Sequence, residues 1–179
     1  SGDQTRKLTK RLLDKFPDKK WIIDAGSLQI MNVDWLKKLN QVIITPHHKE
    51  FNDLFNLKSQ ISNLKTTTQM SKLESLIFNK AKEYGCIIVL KSPIDIVCSP
   101  NQCLINQTGN EGMTKGGTGD VLAGLIGALA CKNDLFLAGC AGVFINGLAG
   151  DSLYKKLGTY FNASDLCEEI PKVLKKLLK

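Results

Sequence analysis

Gly116-Gly117-Thr118-Gly119-Asp120, running straight into Val121-Leu122-Ala123-Gly124, is the stretch on which the reading of this chain turns. Its glycines remove side chains where a backbone must approach something closely, and the apolar run from Val121 to Cys131 reads as a helix that starts at the turn. A helix start presents unpaired N–H groups and the positive end of its dipole, so the turn is suited to holding an anion. It is not a P-loop, whose GxxxxGK[ST] pattern places a lysine after the last glycine; here that residue is Asp120. A carboxylate there can accept a proton from a hydroxyl while the amides stabilise negative charge on a transferring phosphoryl group. The plain alternative is a tight strand-to-helix turn with Asp120 as a helix cap. The segment alone does not choose between them.

Working outward, three short apolar runs end in polar residues: Trp21-Ile22-Ile23 in Asp24, Val42-Ile43-Ile44 in Thr45-Pro46-His47, and Cys86 to Leu90 in Lys91. Helical stretches at 33–39 and 70–84 precede the second and third, and this alternation predicts a parallel sheet flanked by helices. Asp24, His47 and Lys91 then share one sheet edge, where open α/β folds bind ligands, which favours the anion-binding reading of the turn. Leu8, Leu12, Leu13 and Phe16 predict an amphipathic helix over 3–16. Residues 95–98 and 103–105 predict a hairpin across Ser99-Pro100-Asn101-Gln102, and further helices are predicted over 121–131, 135–154 and 164–178, the last capped by Ser164.

The 179 residues, 43% hydrophobic and 23% charged, suffice for one well-cored domain over 1–179 and exclude disorder as a description of the whole. The 24 Lys+Arg against 17 Asp+Glu leave +7, but the lysines fall on outer helix faces without interleaved aromatics, so nucleic acid is not expected as a partner. Neither apolar run of 11 residues, Val121 to Cys131 or Leu135 to Ile145, approaches the ~20 of a spanning helix, so no membrane is expected. The 6 cysteines form no CxxC, and the 2 histidines are the adjacent His47 and His48, so no metal site is expected from them. Cys98 and Cys103 flank the hairpin turn and could face each other; reduced, buried thiols are the favoured state of the set.

Four segments occur in order: Thr45-Pro46-His47-His48-Lys49-Glu50-Phe51; Val89-Leu90-Lys91-Ser92-Pro93-Ile94-Asp95; Thr108-Gly109-Asn110 leading into Gly116 to Gly124; and Asn146-Gly147-Leu148-Ala149-Gly150-Asp151. Together they resemble the nucleotide-dependent NAD(P)H-hydrate dehydratases of the ribokinase-like superfamily, archaeal members above all, over nearly the whole chain. The resemblance implies a three-layer α/β/α fold with a mainly parallel central sheet, lacking its N-terminal strands, and a chain that is the C-terminal part of a longer one. It implies repair of hydrated NADH or NADPH (NADHX, NADPHX): the added hydroxyl is phosphorylated from ADP or ATP, and loss of phosphate restores the ring double bond.

By the same resemblance Asp120 meets the substrate hydroxyl and His47 touches the hydrated dinucleotide. Lys91, Ser92, Pro93, Ile94 and Asp95 run along the nucleotide, with Gly116, Gly117, Thr118 and Gly119 as the anion turn. Mg2+ is expected with the phosphates. A homo-oligomer in the cytoplasm is expected, completed by N-terminal residues or a partner chain. His48 is expected to face solvent, Glu50 has either a ligand or a helix-start role, and Asn146 to Asp151 serve close helix packing or ligand contact. The family's DAD reads Asp24-Ala25-Gly26, a missing carboxylate; Gln29, Lys49, Ser92 and Glu111 also depart from the usual pattern. A vitamin or sugar kinase of the same superfamily would share Asp120 and the turn but not Thr45 to Phe51. A non-catalytic nucleotide-binding fragment is the remaining alternative.

Overall fold

The computed structural model describes residues 2–57 and 67–178. β1 (Lys20–Ile23), β2 (Gln41–Ile44) and β3 (Ile87–Leu90) lie parallel, and β4 (Asp95–Cys98) and β5 (Cys103–Asn106) extend the sheet as an antiparallel hairpin, in the order β1-β2-β3-β4-β5. All of Val42, Ile43 and Ile44, and all four residues of β3, are buried. Strands covered on both faces need apolar side chains in both directions, hence their unbroken runs.

On one face Ile44, Ile88, Leu90 and Ile96 pack against α1 (Gly2–Lys15), α2 (Ala25–Ile30), α3 (His48–Leu54) and α4 (Thr67–Tyr84), through residues such as Leu13, Leu28, Phe51 and Ile77. On the other, Ile43, Ile87, Val89 and Val97 meet Ile126 of α5 (Thr118–Ala130) and Val143 of α6 (Leu135–Leu157). α7 (Ala163–Leu177) closes over α5 and α6 through Leu166 and Ile170. This is the expected three-layer α/β/α arrangement. The antiparallel parallel-set partition matters for the site: β1, β2 and β3 deliver their carboxyl ends to one edge, and α5 begins there.

Several local expectations are corrected. The stretch at 33–39 is a 3-10 turn over Val33–Lys38, started by Asn32, whose side chain accepts from Asp34 N. α2 was not expected; at 6 residues it is too short to show a helical period. The cap of α7 is Asn162 rather than Ser164: its side chain accepts from Ser164 N and Asp165 N, and the Asp165 carboxylate accepts from Asn162 N in return. α6 runs unbroken for 23 residues, long and apolar enough by length and composition to cross a membrane, because Asn146 and Asp151 do not interrupt it as they interrupt an apolar run in the sequence. Most of it is buried here, with Gly142 so close to α5 that a Cβ would lie 2.4 Å from Ile126 Cγ1.

The cysteines divide. Cys86 and Cys140 are buried free thiols, pushed up to about 12 and about 11 by burial. Cys131 and Cys167 are free but exposed, contrary to the buried reading. Cys98 and Cys103 are joined in a disulfide rather than reduced, because the hairpin register sets them directly opposite with Cα atoms 4.1 Å apart.

Candidate active site

The sheet's pairing continues past the parallel strands. Thr45 N donates to Ile23 O at 3.1 Å and Lys91 N to Pro46 O at 2.8 Å, so Asp24, His47 and Lys91 emerge beside one another as expected. There Lys91 Nζ donates to Asp24 Oδ1 at 2.7 Å, both side chains largely withdrawn from solvent. The chain leaves Asp24 through Ala25, whose φ of 49° puts a non-glycine residue in the left-handed region, a conformation characteristic of functional edges.

The anion turn meets this ion pair. Gly117, at φ 91°, caps α5, and a Cβ there would lie 2.9 Å from that of Ala163. Both the dihedral and the packing therefore require glycine. Thr118 is buried, its hydroxyl set against Met113 O at 2.7 Å and Lys115 O at 2.9 Å. Lys115 Nζ in turn donates to Phe161 O at 2.7 Å, fixing the loop to the entry of α7. A Cβ on Gly119 would come 3.3 Å from Lys91 Nζ and 4.0 Å from Asp24 Oδ2. The helix start thus sits on the strand-edge pair with a lysine beside its amides, an arrangement that attracts phosphate twice over. Asp120, the next residue, is exposed in the first turn of α5, and Gly116 is exposed just before it.

Other expected residues are placed differently from one another. Asp95 turns inward: Oδ1 accepts from Ser92 N at 3.0 Å and Oδ2 from Asn106 Nδ2 at 3.1 Å, with burial pushing its carboxyl above the usual range. Ser92 hydroxyl donates to Ile94 O, so Ser92 to Asp95 form a closed turn. His47 caps α3. Its Nδ1 accepts from Glu50 N at 3.2 Å and Glu50 Oε2 accepts from His47 N at 3.0 Å, with Nε2 3.5 Å from Glu50 Oε2 on a side chain 49% exposed. Glu50, 6% exposed and also accepting from Gln29 Nε2, fills the helix-start role. His48 does not face solvent as expected: it is half-buried with Nδ1 enclosed, and burial followed by the charge of His47 lowers its pKa. Gly26 is exposed, with open space where a Cβ would be.

Two features escaped the sequence reading. The Asp24–Lys91 pair joins residues 67 positions apart, although both were signalled as strand ends. Asp151, in the segment read as packing or contact, reaches the loop before the turn and accepts from Gly109 N at 3.1 Å and from Asn110 Nδ2 at 3.0 Å.

Fold and site together define a ribokinase-like α/β protein whose glycine-led helix start lies against a lysine-bearing strand edge. The Carb_kinase family model, described as NAD(P)H-hydrate dehydratase, matches residues 2–172, and the chain belongs to that family. It is 41% identical over 98% of its length to the bifunctional NAD(P)H-hydrate repair enzyme Nnr of Methanocaldococcus jannaschii, covering 31% of that protein. It is 37% identical over 94% of its length to the ADP-dependent (S)-NAD(P)H-hydrate dehydratase of Nitrosopumilus maritimus, covering 55% of it. Among solved structures, the ADP/ATP-dependent NAD(P)H-hydrate dehydratase of Bacillus subtilis, co-crystallized with ATP/Mg2+, superposes with a TM-score of 0.77 at 27% identity, over 96% of this chain and 61% of that one. The chain thus spans about a third to a little over half of these relatives' lengths.

Proposed function

We propose that this chain carries the nucleotide-dependent dehydration of hydrated NADH and NADPH. The observation that carries the reading is the meeting of Gly119 with the Asp24–Lys91 pair, which puts a cation and a helix start around one small volume beside Asp120. A terminal phosphate of ADP or ATP in that volume would accept from the α5 amides and draw on the Lys91 charge. Asp120, solvent-facing and adjacent, would take the proton as the ring hydroxyl attacks phosphorus. The same amides would then stabilise the phosphate as it leaves with the ring oxygen, while the neighbouring ring carbon gives up its proton to solvent and the double bond returns. His47, through Nε2, would contact the hydrated dinucleotide, and the turn over Ser92 to Asp95 would follow the nucleotide with its backbone.

Mg2+ fits this donor set as a companion of the nucleotide. Among the described residues no three His, Cys, Asp or Glu side chains cluster into a cage, while Asp24 keeps Oδ2 directed toward Gly119 with Lys91 on its other oxygen. Asp24 and the phosphates would hold the ion, which when bound neutralises phosphate charge. Exposed Leu104 and Ile105 on β5, with Leu137 and Phe144 on α6, support assembly as a homo-oligomer, and the substrates suit a cytoplasmic enzyme.

The test is direct. Protein, ADP or ATP, and hydrated NADH are incubated while nicotinamide absorbance is followed; nucleotide-dependent recovery is expected. Nucleotide that raises the melting temperature by mass action without any recovery would replace the dehydratase reading with the non-catalytic one.

A further inference from the structure

The loop leading into the anion turn is fastened to α6 through two carboxylates: Glu111 of the loop accepts from the Tyr154 hydroxyl at 2.7 Å, and Asp151 of α6 accepts from the loop itself. Asp151 accepts from the Gly109 N–H at 3.1 Å with Oδ2 and from Asn110 Nδ2 at 3.0 Å with Oδ1. Gly109 stands at φ 107°, which presents its N–H inward at a cost that only glycine avoids. Asn110 passes the constraint on: its Oδ1 accepts from Gly112 N at 3.0 Å and starts the 3-10 turn Glu111–Met113. Met113 O then accepts from the Thr118 hydroxyl at 2.7 Å, in the first residue of α5. The loop lies flat because α6 is bare beneath it. A Cβ at Gly147 would fall 2.1 Å from Thr108 Oγ1, and one at Gly150 would fall 2.3 Å from Met113 Sδ. Asp151 gives this chain of bonds from α6 to the helix start a carboxylate that accepts twice, and bonds to a carboxylate acceptor are the strong ones.

We propose that Asp151 is a positioning residue for the nucleotide: by gripping Gly109 and Asn110 it sets where Gly116 to Gly119 stand relative to Lys91. It touches no reactant and acts through the loop, and it rests on the nucleotide-dependent reading given above.

The experiment is a calorimetric titration with ADP of the intact protein and three variants, with melting temperatures and steady-state kinetics alongside. Asp151→Ala is expected to bind ADP about tenfold more weakly or worse, with KM for nucleotide rising more than kcat falls. Asp151→Asn is expected to lose nearly as much, since its amide nitrogen faces groups that can only donate. The exchange N110D/D151N restores a donor against an acceptor at both contacts without changing net charge, and should recover most of the affinity. Affinity in D151A equal to wild type would overturn the proposal. So would a double variant that melts normally but binds as weakly as D151N, or affinity losses that simply follow melting temperature. Wild-type protein that binds ADP tightly but never turns over hydrated NADH would remove the dehydratase reading while leaving the grip on the loop intact.

Discussion

The strand edge and the helix start face each other across the candidate site and are built on opposite principles. At the strand edge the charged side chains are held by one another or by their neighbours: Lys91 by Asp24, Asp95 by Ser92 and Asn106, and His47 and Glu50 by each other. At the helix start the functional surface is backbone, opened by Gly117 and Gly119, with one exposed carboxylate beside it. The difference teaches a division of labour. Side chains that hold one another are poised and cannot collapse into an empty site, whereas the amides and Asp120 are left free for whatever arrives.

That contrast can be broken first at Asp120. Asp120→Asn should keep ADP binding within a few fold while turnover falls by about 10²–10⁴, the usual contribution of a placed general base, as read by titration and by nicotinamide recovery. Near-normal turnover would move the base elsewhere. Next is Gly117: Gly117→Ala combines an unfavourable dihedral with a Cβ 2.9 Å from that of Ala163. We expect a loss of roughly 1–3 kcal/mol in denaturant unfolding together with weaker ADP binding. At the opposite wall, Lys91→Met should raise the nucleotide KM more than Asp24→Asn. The first removes the cation and strands a carboxylate largely shielded from solvent; the second leaves an acceptor for Lys91.

A control region sharpens the comparison. Glu169, on α7, is 1% exposed, holding Ser152 at 2.6 Å and Lys172 at 3.2 Å, and the Lys156 ammonium first, then Ser152, lowers its pKa from 4.5 to about 2. A depressed carboxylate contributes stability above its unfolded value and loses it as pH falls through the folded value. The melting temperature should therefore decline between about pH 4.5 and pH 2, and Glu169→Gln should flatten that part of the decline with nucleotide KM at neutral pH unaffected. A changed KM in that variant would mean the α6–α7 contact and the site are not separable.

Much of the site was legible because strand ends and glycine turns leave local marks. Ile23-Asp24, Pro46-His47 and Leu90-Lys91 each read as an apolar run stopping at a polar residue, and parallel pairing then had to bring them to one edge. What the sequence hid is pairwise and distant. Nothing near Lys91 announces Asp24, and nothing near Asn110 announces Asp151, 41 positions on. His48 was expected to face solvent, but it opens α3 directly after the extended cap His47 and is half-buried there. The disulfide was missed through a compositional argument that the hairpin register overrides at Cys98 and Cys103.

The most direct test is a crystal structure of the protein with ADP or ATP bound. The terminal phosphate is expected about 3 Å from both the Gly119 amide and Lys91 Nζ, with the Asp120 carboxylate facing it. A phosphate bound away from the start of α5, with Lys91 still committed to Asp24 alone and Asp120 turned to solvent, would contradict the account.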